Sequence, residues 1–253
     1  MQGERALGLD WRDAAAYAPL LDADRSLFAW EWLRRDPLYV AAARNDGLSR
    51  AGRAGATAFG LVDFEPADLG VPNARPLWCS IVHPFVLMAE RASQGGAADA
   101  LDLGRLRAWA RLQVSESAEH LLLSDGLRAI RLEGPPGTFS DGPVQLCYRI
   151  QGLAAAEPPL LTLRRLLGLC RSGRFSRLLH PREARGVRWV KILRAHDALM
   201  AGADQREIAR ALLSRSVVEP RWRSREPSVR LQAQRLVRSA RRFAAGDYRR
   251  LLA

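Results

Sequence analysis

Apolar residues recur at helical spacing towards both ends of the chain and fall into short, turn-bounded runs in the middle. From Leu9 to about Asn45 the sequence is rich in helix formers, with Phe28, Trp30, Trp32, Leu33 and Tyr39 as anchors and Pro37 as a break, which predicts two short helices. Gly47 to Ala58, GLSRAGRAGATA, is made mostly of small residues and reads as a flexible or exposed connection. FGLVDFE, from Phe59 to Glu65, and LWCSIVHPFVLMAE, from Leu77, are apolar runs bounded by turn residues and suit strands. The clearest β pattern is His120 to Glu133, two apolar runs around Ser124-Asp125-Gly126, where the Asp-Gly pair can take the positive φ angles of a tight hairpin. Val144 to Ile150 alternates and adds a third strand. After AAAEPP (Ala154 to Pro159) the pattern turns helical: LLTLRRLLGLCRSGR, EARGVRWVKILRAHDALMAG, DQREIARALLS, and a last helix that Pro227 opens and Gly246 closes. The expected class is α+β: short N-terminal helices, a small mainly antiparallel sheet in the middle, and an all-α C-terminal helix-turn-helix domain. The corresponding domains are 1–57, 58–152 and 153–253.

Charge sharpens this picture. The 253 residues carry a net charge of +12, and 48% hydrophobic with 26% charged residues is an ordinary globular balance, which excludes disordered and fibrous chains. The charge is lopsided. Residues 1 to 150 hold 16 basic and 19 acidic groups, whereas residues 151 to 253 hold 23 and 8. A cationic C-terminal segment points to a polyanionic partner, because each phosphate neutralised releases condensed counterions. Cys79, Cys147 and Cys170 show no CxxC or zinc spacing and read as reduced, buried thiols. With no apolar leader and no long greasy run, the expectation is a cytoplasmic protein without a membrane partner.

Catalytic chemistry finds no support in the sequence. GPPGTFS, from Gly134 to Ser140, lacks the Gly-Lys-Ser/Thr of a phosphate loop and reads as a turn. His83, His120, His180 and His196 share no metal-ligand spacing, and neither GxSxG nor HExxH occurs. The chain is therefore expected to be no enzyme and to use no cofactor and no metal.

Binding chemistry is concentrated in the last 55 residues. In GADQREIARALLS, Asp204 can cap a helix while Glu207 completes a capping box, Ile208 and Leu212 share a face, and Ala209 is small enough for close crossing. In the last helix Val229, Ala233, Leu236, Ala240 and Phe243 line one face. Arg230, Gln234, Arg238 and Arg241 fall about 120° to 200° away on a helical wheel, in a stripe without an acid. Arginine and glutamine can make bidentate contacts to guanine and adenine edges. Arg230 and Gln234 are expected to read bases, Arg238, Arg241 and Arg242 to hold phosphates, and Gln205 and Arg206 to clamp backbone from the preceding helix N-terminus. Residues Arg215 to Glu226 make the turn longer than in a compact helix-turn-helix, and Trp222 is expected to bury there, forming the domain core with Leu236 and Phe243.

These same C-terminal stretches, together with DWRDAAAYAPLLDADRSLFAWEWLRRDPLY near the N-terminus, resemble FseA-type transcriptional activators of integrative and conjugative elements, whose C-terminal domain family is shared with QseM-type antiactivators. The resemblance implies a sequence-specific activator of excision or transfer genes that binds double-stranded DNA, with RNA polymerase and a small antiactivator as further partners. A rival reading is an antiactivator-like module that binds a related regulator without touching DNA. The added 150 residues and the basic tail argue for the activator.

Overall fold

The computed structural model describes residues 9–46, 52–93, 99–213 and 227–253. A 3-10 helix, Ala15–Asp22, leads into α1 (Arg25–Leu33) and α2 (Pro37–Asp46). Asp24 caps α1 by accepting the Leu27 N–H. Pro37 separates the two helices by opening the second, where its missing N–H costs nothing.

The small-residue segment is not all connection. Gly52–Thr57 forms the short helix α3, and Ala56 is fully buried in the core. The runs around Leu61 and Trp78 likewise depart from the expected strands, meeting in a single antiparallel bridge. Their apolar side chains fill space between layers: the rings of Phe59 and Phe64 lie 5.2 and 5.7 Å from that of Tyr39.

The sheet runs β2-β3-β4-β1-β5, from β1 (Val86–Arg91), β2 (Ala110–Val114), β3 (Glu119–Ser124), β4 (Ala129–Gly134) and β5 (Leu146–Arg149), with the one-turn helix α4 (Leu103–Leu106) before β2. Three pairings are antiparallel, and β1 with β4 is parallel. The hairpin between β3 and β4 is wider than expected. Ser124 faces Ala129, leaving four loop residues, and only Gly126 among them has positive φ, at 97°. Asp125 stays in ordinary backbone space and accepts the Leu127 and Arg128 N–H groups at 2.9 and 2.8 Å. A Cβ at Gly126 would fall 2.3 Å from Pro72 O, so glycine is required there.

Two cores organise the molecule, and neither takes in the cysteines as expected: Cys147, on the outward alternation of β5, and Cys170 are exposed, and Cys79 is half-buried. α5 (Glu157–Ser172) lays Leu166 and Leu169 on one sheet face, against Leu87, Leu121, Leu123, Ile130 and Leu132. The other core joins the two ends of the sequence. Tyr17, Leu27, Phe28, Trp30 and Leu33 pack with Trp189, Ile192 and Leu193 of α6 (Gly186–Met200), Ile208 and Leu212 of α7 (Gln205–Leu212), and Ala240 of α8 (Pro227–Ala244). A closing 3-10 turn, Asp247–Leu251, adds Tyr248 and Leu251 to this core.

Candidate nucleic-acid interface

α7 begins as its sequence requires. Asp204 Oδ1 accepts the N–H groups of Arg206 and Glu207 at 2.7 and 2.8 Å, and Glu207 Oε2 accepts the Asp204 N–H at 2.9 Å. Ile208, Ala209 and Leu212 face inward. α8 crosses α7 at a contact between two fully buried alanines, Ala209 and Ala233, whose lack of bulk lets the backbones approach. Ala240 is also fully buried, while Val229, Leu236 and Phe243 are half-buried on the same side.

The opposite side of α8 faces outward. Gln234, Arg238, Arg241 and Arg242 are exposed, and with Gln205 and Asp204 they line an open groove between α8 and the start of α7. Five of the seven expected contact residues thus surround one surface. Arg206 and Arg230 lie outside its lining. Arg230 is half-buried, and its Nε has no hydrogen-bond partner among the described residues. The capping box also changes the expected role of the α7 N-terminus: the N–H groups of Arg206 and Glu207 are already taken by Asp204, which puts a carboxylate where a phosphate was expected to sit. Arg242 pairs with Asp247 at 2.6 Å.

A second groove, which the sequence pattern does not reveal, flanks α8 on its other side. Arg185 and Arg188 at the start of α6 line it with Ser239 and Arg242. Both arginines are exposed, so the cationic surface continues from α8 onto α6. Nothing in their spacing relates them to α8; only the fold brings them there. Trp222 and the turn expected from Arg215 to Glu226 lie outside the described residues.

Behind this surface, buried ions fasten α6 to the N-terminal helices. Arg35 donates from Nε and Nη2 to the two oxygens of Asp197, at 2.7 and 2.9 Å, and Tyr17 donates to Asp197 Oδ2 at 2.6 Å. Glu31 accepts from Arg34 Nε at 2.8 Å and from the Val71 N–H at 2.9 Å. Burial opposes ionisation of Glu31, but Arg35 and Arg34 outweigh it and hold the carboxyl below its ordinary range. Burial and the neighbouring Asp197 raise the Tyr17 hydroxyl above its usual value. Arg194 of α6 donates to the carbonyls of Trp11 and Arg12 at 2.9 and 2.8 Å.

Residues 154–253, from α5 through α8, match a family model described as "T6SS, Transcription factor, DNA binding domain". Residues 10–59, the N-terminal helices, match one described as "Proteobacterial transcriptional regulator-like domain". Together the matches indicate a DNA-binding transcriptional regulator. Searches of curated proteins and of solved structures found no match. The two segments matched in the regulator are those that share the core between α1 and α6. No helix among its described residues is long and apolar enough to cross a membrane.

Proposed function

We propose that the regulator binds duplex DNA in a sequence-specific manner with α8 as its reading helix and α7 as the supporting helix of a helix-turn-helix with an extended turn. The observation that carries this is the exposed stripe of Gln234, Arg238 and Arg241, set beside Gln205 on an open groove and backed by the buried Ala209–Ala233 crossing. Gln234 supplies bidentate contact to a base edge, and Arg238, Arg241, Arg185 and Arg188 meet phosphates on either side. Arg230 would join the base contacts only with its head group clear of the protein. Gln205 and Arg206 act through their side chains. The family descriptions and the FseA-like stretches support a bacterial activator working on DNA in the cytoplasm, with excision, transfer or T6SS genes as targets. The N-terminal helices, with RNA polymerase or an antiactivator as partner, complete that reading.

Sequencing the genomic fragments that co-purify with the full chain tests it. Enriched fragments should share a motif, and enrichment should vanish in the Gln234→Ala/Arg238→Ala/Arg241→Ala variant. Fragments drawn at random from the genome would overturn sequence-specific binding and favour the protein-interaction reading.

A further inference from the structure

Between the helical core and the sheet lies a cavity of about 290 Å³, away from the groove beside α8. Its lining joins the start of α1 (Asp24), the approach to β1 (His83), β4 (Arg131), α5 (Leu161, Arg165) and the segment before α6 (His180). That volume is at the lower end of small-ligand sites.

The lining has donors and acceptors without partners. Arg131 is 3% exposed, yet among the described residues its single hydrogen bond runs from Nη2 to Pro76 O at 3.2 Å, and its Nε is buried and unbonded. Among the described residues the Arg165 guanidinium donates to the Leu179 carbonyl at 2.9 Å and lies 5.8 Å from the centre of the Phe85 ring. No carboxylate among the described residues forms an ion pair with either guanidinium, although the Asp24 charge in the same lining acts on both from a distance. The nearby acids are committed elsewhere: Asp22 to Arg182, Glu183 to Arg25 at 2.5 Å, and Asp24 to the Leu27 N–H and the Ser26 hydroxyl. Buried guanidinium groups are ordinarily satisfied, because an unpaired buried charge is costly.

His180 adds a second requirement. Its Nδ1 lies 3.0 Å from the Ser176 carbonyl, so Nδ1 carries the proton of the neutral ring, and Nε2 is left as a buried, unpartnered acceptor. The cavity therefore offers guanidinium donors and an imidazole acceptor, with the apolar Phe85 and Leu161 in the same lining.

We propose that this cavity binds a small organic oxyanion that also bears a hydroxyl group. Carboxylate or phosphate oxygens accept from Arg131 and Arg165, the hydroxyl donates to His180 Nε2, and the carbon frame rests on Phe85 and Leu161. Leu251, in the turn that follows α8, lines the same cavity, and His83, also in the lining, bonds Leu252 O through Nδ1 at 2.8 Å. An occupant therefore touches the segment that trails the DNA-facing helix.

Thermal melting of the full chain with 4-hydroxybenzoate, glycerol phosphate and neutral phenol tests the site without involving DNA. One of the two anions should raise Tm by about 2 to 5 °C at saturation, the carboxylate or the phosphate probe identifying the head group, while phenol leaves Tm unchanged. The shift should disappear in Arg165→Gln, at a half-buried position, and in Leu161→Trp, which fills the cavity, and should persist in Arg238→Ala on the DNA-facing groove. No shift with either anion, or a shift kept by both cavity variants, or one lost only in Arg238→Ala, would overturn the proposal.

Discussion

The ring centroids of Trp32 and Phe243 lie 5.2 Å apart with their planes at 48°. Trp32 belongs to the stretch that matches a regulator-like domain, and Phe243 to the helix that presents the arginine stripe. His196 of α6 meets the same indole at 5.2 Å. The position of α8 is thus set partly by an N-terminal side chain.

A double-mutant cycle with Trp32→Leu and Phe243→Leu should give a coupling of about 1 kcal/mol in urea unfolding, the usual worth of an aromatic pair beyond its area. Phe243 is half-buried, so Phe243→Ala should cost about 2 kcal/mol, below the 3 to 5 typical of a fully buried ring. Additive single effects would show that the two rings touch without coupling.

Base reading and phosphate holding should separate within α8. Gln234→Ala should lose about 1 to 3 kcal/mol on the selected site and much less on random DNA. Arg238→Ala and Arg241→Ala should weaken both DNAs and lower the log-log salt slope by about one unit each. Arg242, held by Asp247, should change the slope less. Titrations at several salt concentrations read all four variants.

Asp204 brings a negative charge to a surface that is otherwise basic. Asn caps a helix about as well as Asp, so Asp204→Asn should keep stability within a few tenths of a kcal/mol. The lost carboxylate should tighten DNA binding severalfold at low salt, an effect that fades as screening increases. Unchanged affinity at low salt would place the DNA away from this groove.

Burial pushes the His83 and His180 rings down to about 4, with Arg131 adding to the effect at His83 and Arg165 at His180. In the unfolded chain these rings titrate near 6.5, so between roughly pH 6.5 and 4 the unfolded state binds more protons and stability falls as pH falls. Each ring should account for up to about 3 kcal/mol by pH 4. Tm measured across this window should decline less steeply for His83→Gln and His180→Gln than for the parent chain.

The helices of the C-terminal segment were legible because each carries its own evidence: the capping box at Asp204 and Glu207, the Pro227 start, and the period of Ala233 and Ala240. The Arg/Gln stripe was legible for the same reason, being a property of one helix. What escaped was everything made between distant segments. Arg185 and Arg188 join the basic surface only through packing, and the burial of Arg131 is likewise produced by the elements that close over its strand. The strands expected at Phe59 to Glu65 failed because apolar runs that fill a gap between layers have the same composition as runs that pair in a ladder.

Residues 153–253 carry the basic charge, but α6 takes one wall of its core from residues 11 to 39. Expressed alone, this fragment should melt without a sharp transition and should regain one when residues 9–60 are supplied in trans. Sharp melting of the fragment by itself would show that its helices pack without the N-terminal wall.

The Tyr17–Asp197 hydrogen bond spans 180 residues, and the Arg35–Asp197 pair spans 162. During synthesis at about 5 to 20 residues per second, α1 leaves the ribosome roughly 8 to 30 s before α6 does. Through that interval Phe28 and Trp32 lack the α6 and α8 rings that cover them. Such distant contacts slow folding, since the intervening chain must be closed before they form. Ribosomes that stall after the sheet has emerged therefore release an aromatic-rich, unfinished N-terminal half, a form that chaperones and proteases recognise. Helix α8, with its exposed arginine stripe, is completed only in chains translated to their last turns.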